Sequence, residues 1–488
     1  MQARNTRFDF TTEVPGLDSL GRVHFIAIGG SGMSAVARIM LARGVAVSGS
    51  DAKDSPVLET LRGLGATVFV GHDASHVSDV DTVVISSAIP ESNVELAAAR
   101  DAGCVVLHRS QGLAATMHDS RPVAVAGANG KTTTTSMLTV ALQAADLDPS
   151  FASGGELTGQ GTNAAWTGGD VFVVEADESD GSFLVYGPEV AIVTNVQPDH
   201  LDFYGTFDNV QRAYASFADS IRSDGLLVAC ADDSGSLFLA SNAAIGGTRV
   251  LTYGFDDTAD LTLADHRADD EGIGTTTTLR LPDGSTATMR LATPGAHNAL
   301  NAAAAYLAAT EGFGADAALV LEGLAGFDGA RRRFEVRGDV AGVTVVDDYA
   351  HNAGKVAAVV RTAAEIAARR GGRLHVAFQP HLYSRTRDFA QGFATGLAPA
   401  HTVVLLDVYG AREQPMEGIT SELIAAPLRD LPGERSVSVG GTFASVAAHL
   451  AEIASEGDIV LTVGAGDVTE LAGHVLRVLR DSDQEDQK

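Results

Sequence analysis

Short apolar runs recur along the chain, each closed by glycine, acid or histidine and followed by a helical stretch. The first stretch reads VHFIAI (23–28), GGSGMSA (29–35), AVARIMLARG (35–44) and AVSGSD (46–51). A continuous apolar run, a Gly turn, a helical segment and a second run predict one βαβ unit of a parallel sheet. Further strand-like runs follow at TVFV (67–70), TVVISSA (82–88) and CVVLH (104–108), with the helical NVELAAARDAG (93–103) among them.

A second cycle opens at PVAVAGANGKTTTTSMLTVALQAA (122–145), where an apolar run enters a Gly loop and then a helix. VFVVEADESD (171–180), VAIVTNVQPDHLD (190–202) and LLVACADD (226–233) read as buried strands ending in acids or His. Between about 250 and 292 the pattern becomes alternating and Thr-rich. It predicts a small antiparallel patch with a turn at Pro282-Asp283-Gly284. PGAHNALNAAAAYLAAT (294–310) predicts a helix, and FDGARRRFE (327–335) a basic connector. The third cycle begins at VTVVDDYAH (343–351) and continues through LHVAFQPH (374–381), TVVLLDVYG (402–410) and DIVLTVGAG (458–466). The expected fold is α/β with three consecutive domains over 1–114, 115–333 and 334–488. The first and third are Rossmann-like, the second is a P-loop α/β domain, and sites sit at strand C-terminal ends. The tail DSDQEDQK is expected to be disordered.

Length and composition agree. At about 150 residues per domain, 488 residues make about three domains. Hydrophobic residues at 45% and charged residues at 20% supply ample core and exclude general disorder. No apolar run approaches the roughly 18 residues of a membrane span. The first residues, MQARNTRFDFTTEVPG, lack the apolar core of a signal peptide. Cys104 and Cys230 make no disulfide framework and no zinc cluster. A cytoplasmic protein without membrane insertion is expected.

The net charge of −28 opposes nucleic acid and anionic membranes as partners. It leaves room for a small anion, which needs only local amides and one or two cations. Of 34 Lys and Arg residues only Lys53, Lys131, Lys355 and Lys488 are lysines.

Lys131 lies in Gly127-Ala128-Asn129-Gly130-Lys131-Thr132-Thr133-Thr134, after a strand and opening a helix. Glycines let amides approach phosphate, Lys reaches the terminal phosphates and the Thr hydroxyl can hold Mg²⁺. The loop is a short GxxGKT form, since Val125 stands where the first Gly of the longer motif falls. Gly30, Gly32 and Ala35 make G-x-G-x-x-A, with Asp51 ending the next strand near a ribose-acid position. This suits a nicotinamide cofactor, the nucleotide part of a substrate, or a tight turn without ligand. Glu175 and His200, at strand ends beside the phosphate loop, are candidate metal ligands. His381, Tyr383, Arg385 and Arg387 form a cationic cluster suited to carboxylate or phosphate. Arg331-Arg332-Arg333 reads as a phosphate contact or a solvated linker.

Together IGGSGMS, GANGKTTTT, EADESDGSFL, TNVQPDHLD, PGAHNALNAAAA, FDGARRRFE, DDYAH, FQPHLYSRT and DVYGAREQP resemble the Mur ligases from about 24 to 467. The resemblance implies ATP-dependent, ADP-forming amide synthesis with Mg²⁺, adding L-alanine to the carboxylate of UDP-N-acetylmuramate in peptidoglycan precursor synthesis. It implies UDP-substrate contacts from Gly30, Ser31, Gly32, Met33, Ser50, Asp51, Ser87, Ala88 and Arg109. Nucleotide contacts would come from the 127–133 loop, His297, Asn298, Arg333 and Asp348. Lys131, Glu175 and His200 would carry catalysis, with Thr132, Glu175 and His200 on metal. Tyr349, His351, His381 and Arg385 would receive the amino acid. A monomer or weak homodimer is expected.

The chain departs from the family pattern at Leu382, where many relatives have Arg, at Asn352-Ala353 for His-Pro, and at Ala128-Asn129 for Thr-His. Arg385 is then the cation left for the amino-acid carboxylate. Rival readings are a ligase joining a recycled murein tripeptide to the same nucleotide, a nicotinamide-dependent dehydrogenase, and a non-enzymatic P-loop switch.

Overall fold

Strands and helices alternate through almost the whole chain, and the strands gather into three sheets. The computed structural model describes residues 7–269, 272–411 and 413–486. Arg412, within the DVYGAREQP motif, and Lys488 lie outside them. The described chain divides into two compact units. One holds residues up to 267 with 274–292 and 296–328; the other holds 268–273, 293–295 and 329 onward.

The first unit contains two sheets. In spatial order the five-stranded sheet runs Thr67–Val70, Val47–Asp51, Val23–Ile26, Thr82–Ile85, Val105–His108, all parallel. This is the nucleotide-binding order of one Rossmann half extended by two strands, with its crevice at the strand C-terminal ends. The ten-stranded sheet has the parallel strands Leu226–Cys230, Val190–Val193, Arg121–Ala126 and Val171–Glu175 at its centre. Val190–Val193 and Leu226–Cys230 are buried at every position, so their runs are continuous rather than alternating.

The expected antiparallel patch is the rim of this same sheet. Thr275–Arg280 and Thr286–Leu291 form a hairpin whose Leu281–Ser285 turn carries Gly284 at φ 82°. Arg249–Gly254 and Leu261–Ala268 join the hairpin to the parallel core. The opposite rim is the antiparallel pair Ser150–Leu157 and Thr162–Ala165. One hydrophobic core runs through both sheets, from Leu17 to Ala240. Contacts such as Asn163 Nδ2 to the Ser31 carbonyl (3.4 Å) and Arg43 over Trp166 (4.4 Å) help to join the two sheet regions.

The second unit holds a six-stranded sheet in the order Glu335–Val340, Val343–Asp348, Ile459–Val463, Leu374–Phe378, Thr402–Leu405, Ser436–Val439. Only its first pair is antiparallel. Separate apolar clusters cover its two faces. The tail corrects the expectation of disorder: helix Thr469–Asp486 includes its first six residues. Leu471, Ala472, Val475, Leu476 and Leu479 are buried at helical spacing and dock the preceding turns on the sheet. Among the described residues no helix is long and apolar enough to cross a membrane.

Candidate active site

Strand Arg121–Ala126 feeds the loop 127–130, and helix Lys131–Ala144 starts directly after it. Gly127 and Gly130 adopt φ 137° and 88°. A Cβ on Gly127 would stand 2.0 Å from Thr194 Oγ1, and one on Gly130 2.6 Å from Asn301 Oδ1. Only glycine lets the backbone pass so close. The loop is braced from the neighbouring strand end. Asn129 N–H donates to Asn195 Oδ1 (2.9 Å), and Thr194 Oγ1 donates to the Asn129 carbonyl (2.6 Å). Ala128 is buried and the Asn129 amide is committed to Asn195, which leaves the amides at the helix start, Gly130 to Thr133, as the ones that could meet a phosphate.

Lys131 Nζ donates to the Gly127 carbonyl (2.7 Å) and to both oxygens of Glu178 (2.8 and 3.0 Å). Burial works against its charge, but Glu178, Asp177 and Glu175 outweigh it and raise its pKa. The amine is therefore a fixed cation in the cradle. Thr132 Oγ1 donates to Glu175 Oε1 (3.0 Å), whose other oxygen accepts Gly154 N–H (2.6 Å). A hydroxyl beside a carboxylate is the oxygen pair that Mg²⁺ takes together with nucleotide phosphates. No group of three or more His, Cys, Asp or Glu among the described residues could hold a metal alone.

His200 sits at φ 51°, with Nε2 3.6 Å from Glu178 Oε1. Its carboxylate neighbour is Glu178, a residue outside the sequence-derived candidates. Glu178 lies three residues beyond the strand end, on a turn that reaches both Lys131 and His200. Asn298 is buried in helix Ala296–Leu307 and its Oδ1 accepts from Asn301 Nδ2 (3.4 Å), the residue against Gly130. His297 is exposed at the start of that helix. Asn301, Glu178 and Asn195 were absent from the candidates because their roles come from tertiary contact.

At the five-stranded sheet, Gly29 N–H donates to Asp51 Oδ2 (2.9 Å). A Cβ on Gly32 would lie 2.4 Å from Arg109 Nη1, so this guanidinium covers the start of helix Ser31–Ala42. Exposed Gly30 and Ser31, a helix N-terminus and an arginine are an arrangement that could hold an anion. Met33 is buried in the core and offers only its backbone. Ser50 is buried too, and its hydroxyl donates to Glu95 Oε2 (2.6 Å). Ala88 is exposed beside Ser87, whose Oγ donates to Asp180 Oδ2 (2.6 Å) and lies 3.1 Å from His108 Nε2.

Burial lowers the pKa of His108 to about 4, against the pull of Asp180. The folded state keeps this imidazole neutral while the unfolded chain takes up a proton below about 6.5. Stability from this site therefore falls as pH drops from 6.5 towards 4, by about 3 kcal/mol at pH 4. Thermal unfolding of His108→Asn, which can still cap helix Arg109–Ala115, should show a flatter pH dependence than wild type over that window.

In the second unit, Asp348 ends its strand and accepts Phe334 N–H (2.8 Å) and Ala350 N–H (2.7 Å). Arg332 and Arg333 both stack on Tyr349, at 4.8 and 5.2 Å. Arg332 also donates to the Gly464 and Gly466 carbonyls, which makes it an internal brace. The Tyr349 and His351 rings lie 5.2 Å apart, and those of His351 and His381 5.9 Å apart. Arg385 Nη1 donates to the His351 carbonyl (3.3 Å). Burial lowers the His351 pKa to about 3, so the ring stays neutral.

Asp388 pairs with Arg387 (2.7 Å), which removes the acid that could have occupied Arg385. Leu382 sits at φ 71°, ψ 133°, a backbone region L-residues rarely occupy. Asn352 caps helix Ala353–Arg369 by accepting Lys355 N–H (2.8 Å).

Three family models match in chain order. The Mur ligase family catalytic domain covers residues 22–121, the Mur ligase middle domain 125–309, and the Mur ligase glutamate ligase domain 332–466. A UDP-N-acetylmuramate–L-alanine ligase of Kineococcus radiotolerans is 53% identical over 477 residues, 96% of this chain and 98% of that one. The crystal structure of the UDP-N-acetylmuramate–alanine ligase of Thermotoga maritima superposes with a TM-score of 0.77 at 28% identity, over 94% of this chain and 99% of that one. A murein peptide ligase of Psychrobacter arcticus shares the fold, with a TM-score of 0.64 at 24% identity over 94% and 98%. The phosphate loop, the glycine turn under Arg109 and the His351–His381–Arg385 cluster thus stand on a chain aligned to such enzymes almost end to end, and the protein belongs to the Mur ligase family.

Proposed function

We propose that the protein joins L-alanine to the lactyl carboxylate of UDP-N-acetylmuramate, with ATP converted to ADP and phosphate. The carrying observation is the 53% identity to an L-alanine ligase over 98% of that enzyme's length. In this reading residues 1–114 bind the UDP substrate, 115–333 bind ATP, and 334–488 receive the amino acid. A dehydrogenase would leave the Lys131 cradle without a task.

The carboxylate attacks the γ-phosphorus, ADP leaves, and an acyl phosphate forms. The neutral amine of alanine adds to its carbonyl, and phosphate departs from the tetrahedral intermediate. Two anions must approach each other in the first step, so fixed positive charge is the main catalytic need. Lys131 and the helix-start amides supply it on the γ-phosphate. Thr132 and Glu175 would hold Mg²⁺, with His200 and Glu178 beside the same cradle, and the bound ion would screen the phosphate charge. Gly30, Ser31, Gly32 and Arg109 suit the diphosphate, and Asp51 the ribose. Asp348 and Arg333 suit the nucleotide, and Tyr349, His351, His381 and Arg385 the alanine.

Phosphate release should require ATP, Mg²⁺, UDP-N-acetylmuramate and L-alanine together. Faster turnover with the murein tripeptide than with L-alanine would reassign the substrate.

Arg385 gives a sharper test of the amino-acid end. A desolvated alanine carboxylate needs a cation. Truncation in Arg385→Ala removes a charge-assisted bond of about 1.5–3 kcal/mol, or roughly ten- to a hundredfold in KM for alanine. KM for ATP should stay near wild type. Lowered thermal stability with an unchanged alanine KM would instead make Arg385 a structural brace.

A further inference from the structure

One buried carboxylate takes no part in the chemistry above. Glu95 stands in the first turn of helix Val94–Asp101, which Asn93 caps, and its side chain is 0% exposed. Donors from Ser50 and from the 72–76 segment converge on it, with the His24 ring close by. Ser50 Oγ donates to Oε2 (2.6 Å) and His72 Nδ1 lies 2.9 Å from the same oxygen. His76 Nδ1 is 2.7 Å from Oε1, Asp73 N–H reaches Oε1 at 3.4 Å, and His24 Nε2 lies 3.9 Å away. Burial alone would raise its pKa, but these imidazole and hydroxyl bonds hold it down to about 2. An ionised carboxylate sits in the core with no Lys or Arg among these partners, a costly arrangement unless many donors compensate.

What these bonds hold is the rim of the sheet. Ser50 precedes Asp51, which is tied through Oδ2 to Gly29 N–H (2.9 Å). The Asp51 carbonyl accepts Gly71 N–H (2.7 Å), next to His72. His76 is in turn stacked on Phe69 at 4.0 Å. One carboxylate thus links the C-terminal ends of strands Val47–Asp51 and Thr67–Val70 and, through Asp51, the glycine turn at 29–32. A parallel sheet binds its ligand outside those ends.

We infer that Glu95 is a positioning residue for the UDP substrate, holding Ser50, Asp51 and His72 in the arrangement that the nucleotide meets. This rests on the reading of the 29–51 edge as the UDP-substrate site.

The test measures steady-state constants and melting temperatures for wild type, Glu95→Gln, His76→Leu and His76→Asn. Glutamine keeps the shape but cannot accept from every donor. KM for UDP-N-acetylmuramate should rise about tenfold or more in Glu95→Gln, with kcat and KM for ATP within about twofold. His76→Leu should shift the same KM in the same direction, and His76→Asn, which retains a donor, should return it towards wild type. An unchanged KM in folded Glu95→Gln, or equal losses in all constants, overturns the inference. If Glu95→Gln does not fold, the His76 pair decides alone, and equal KM values for Leu and Asn overturn it. Wild type that releases no phosphate from UDP-N-acetylmuramate would sink the functional reading only. Calorimetric titration of the same variants with uridine diphosphate then judges Glu95, and unchanged binding in the folded variants overturns its role.

Discussion

Lys131→Met should lower turnover at least about a hundredfold, the scale of losing one preorganised charge-stabilising group. The side chain is only 14% exposed and its charge is held between the Gly127 carbonyl and Glu178. Methionine fills much of the volume and supplies no charge to the phosphate. The same substitution strands Glu178, 2% exposed, without its cation. Breaking a buried pair from one side costs about 3–5 kcal/mol, so the single variant should also melt lower. Lys131→Met/Glu178→Gln removes the stranded charge and should recover much of that stability without recovering turnover. Stopped or steady-state phosphate release, with melting curves on the same preparations, separates the two effects. Near-normal turnover in either folded variant would end the assignment of an ATP site at 127–133.

Glu175→Ala carries the second large effect. Its carboxylate joins three things: the Thr132 hydroxyl, the Gly154 amide and the cradle of Lys131. Mg²⁺ is bound in nucleotide sites through one or two carboxylates plus phosphates, so losing one is severe. Turnover should drop by about a hundredfold or more at ordinary Mg²⁺, with part regained at high Mg²⁺. The Gly154 amide also loses its acceptor, so a modest fall in melting temperature accompanies it. A variant with wild-type turnover and wild-type Mg²⁺ dependence would remove Glu175 from the site.

What the sequence disclosed follows from where each signal resides. Runs such as VAIV at 190–193 and LLVAC at 226–230 are buried on both faces and read as strands without ambiguity. Ser150–Leu157, Thr162–Ala165, Glu335–Val340 and Ser436–Val439 escaped notice. They lie at or next to sheet edges, and their SFASGGEL, TNAA, EVRGDV and SVSV sequences carry little continuous apolar signal. The phosphate loop was legible because its chemistry is local: glycines, Lys and Thr in one stretch. The partners that complete it, Glu178, Asn195 and Asn301, arrive from other elements, and so does Asp180 on Ser87. His200 stands 3.6 Å from Glu178, a carboxylate neighbour that depends on how the 177–181 turn folds. Asn352 departs from the family pattern and serves here as a helix cap, a role that its residue type favours.

Isotope transfer tests the central claim most directly. UDP-N-acetylmuramate labelled with ¹⁸O in its lactyl carboxylate, turned over with ATP, Mg²⁺ and L-alanine, should yield phosphate carrying one labelled oxygen. That atom attacks the γ-phosphorus, becomes the bridge of the acyl phosphate and leaves when the amine adds. The amide product should retain the other label. Unlabelled phosphate accompanying a fully formed alanyl amide would contradict the account.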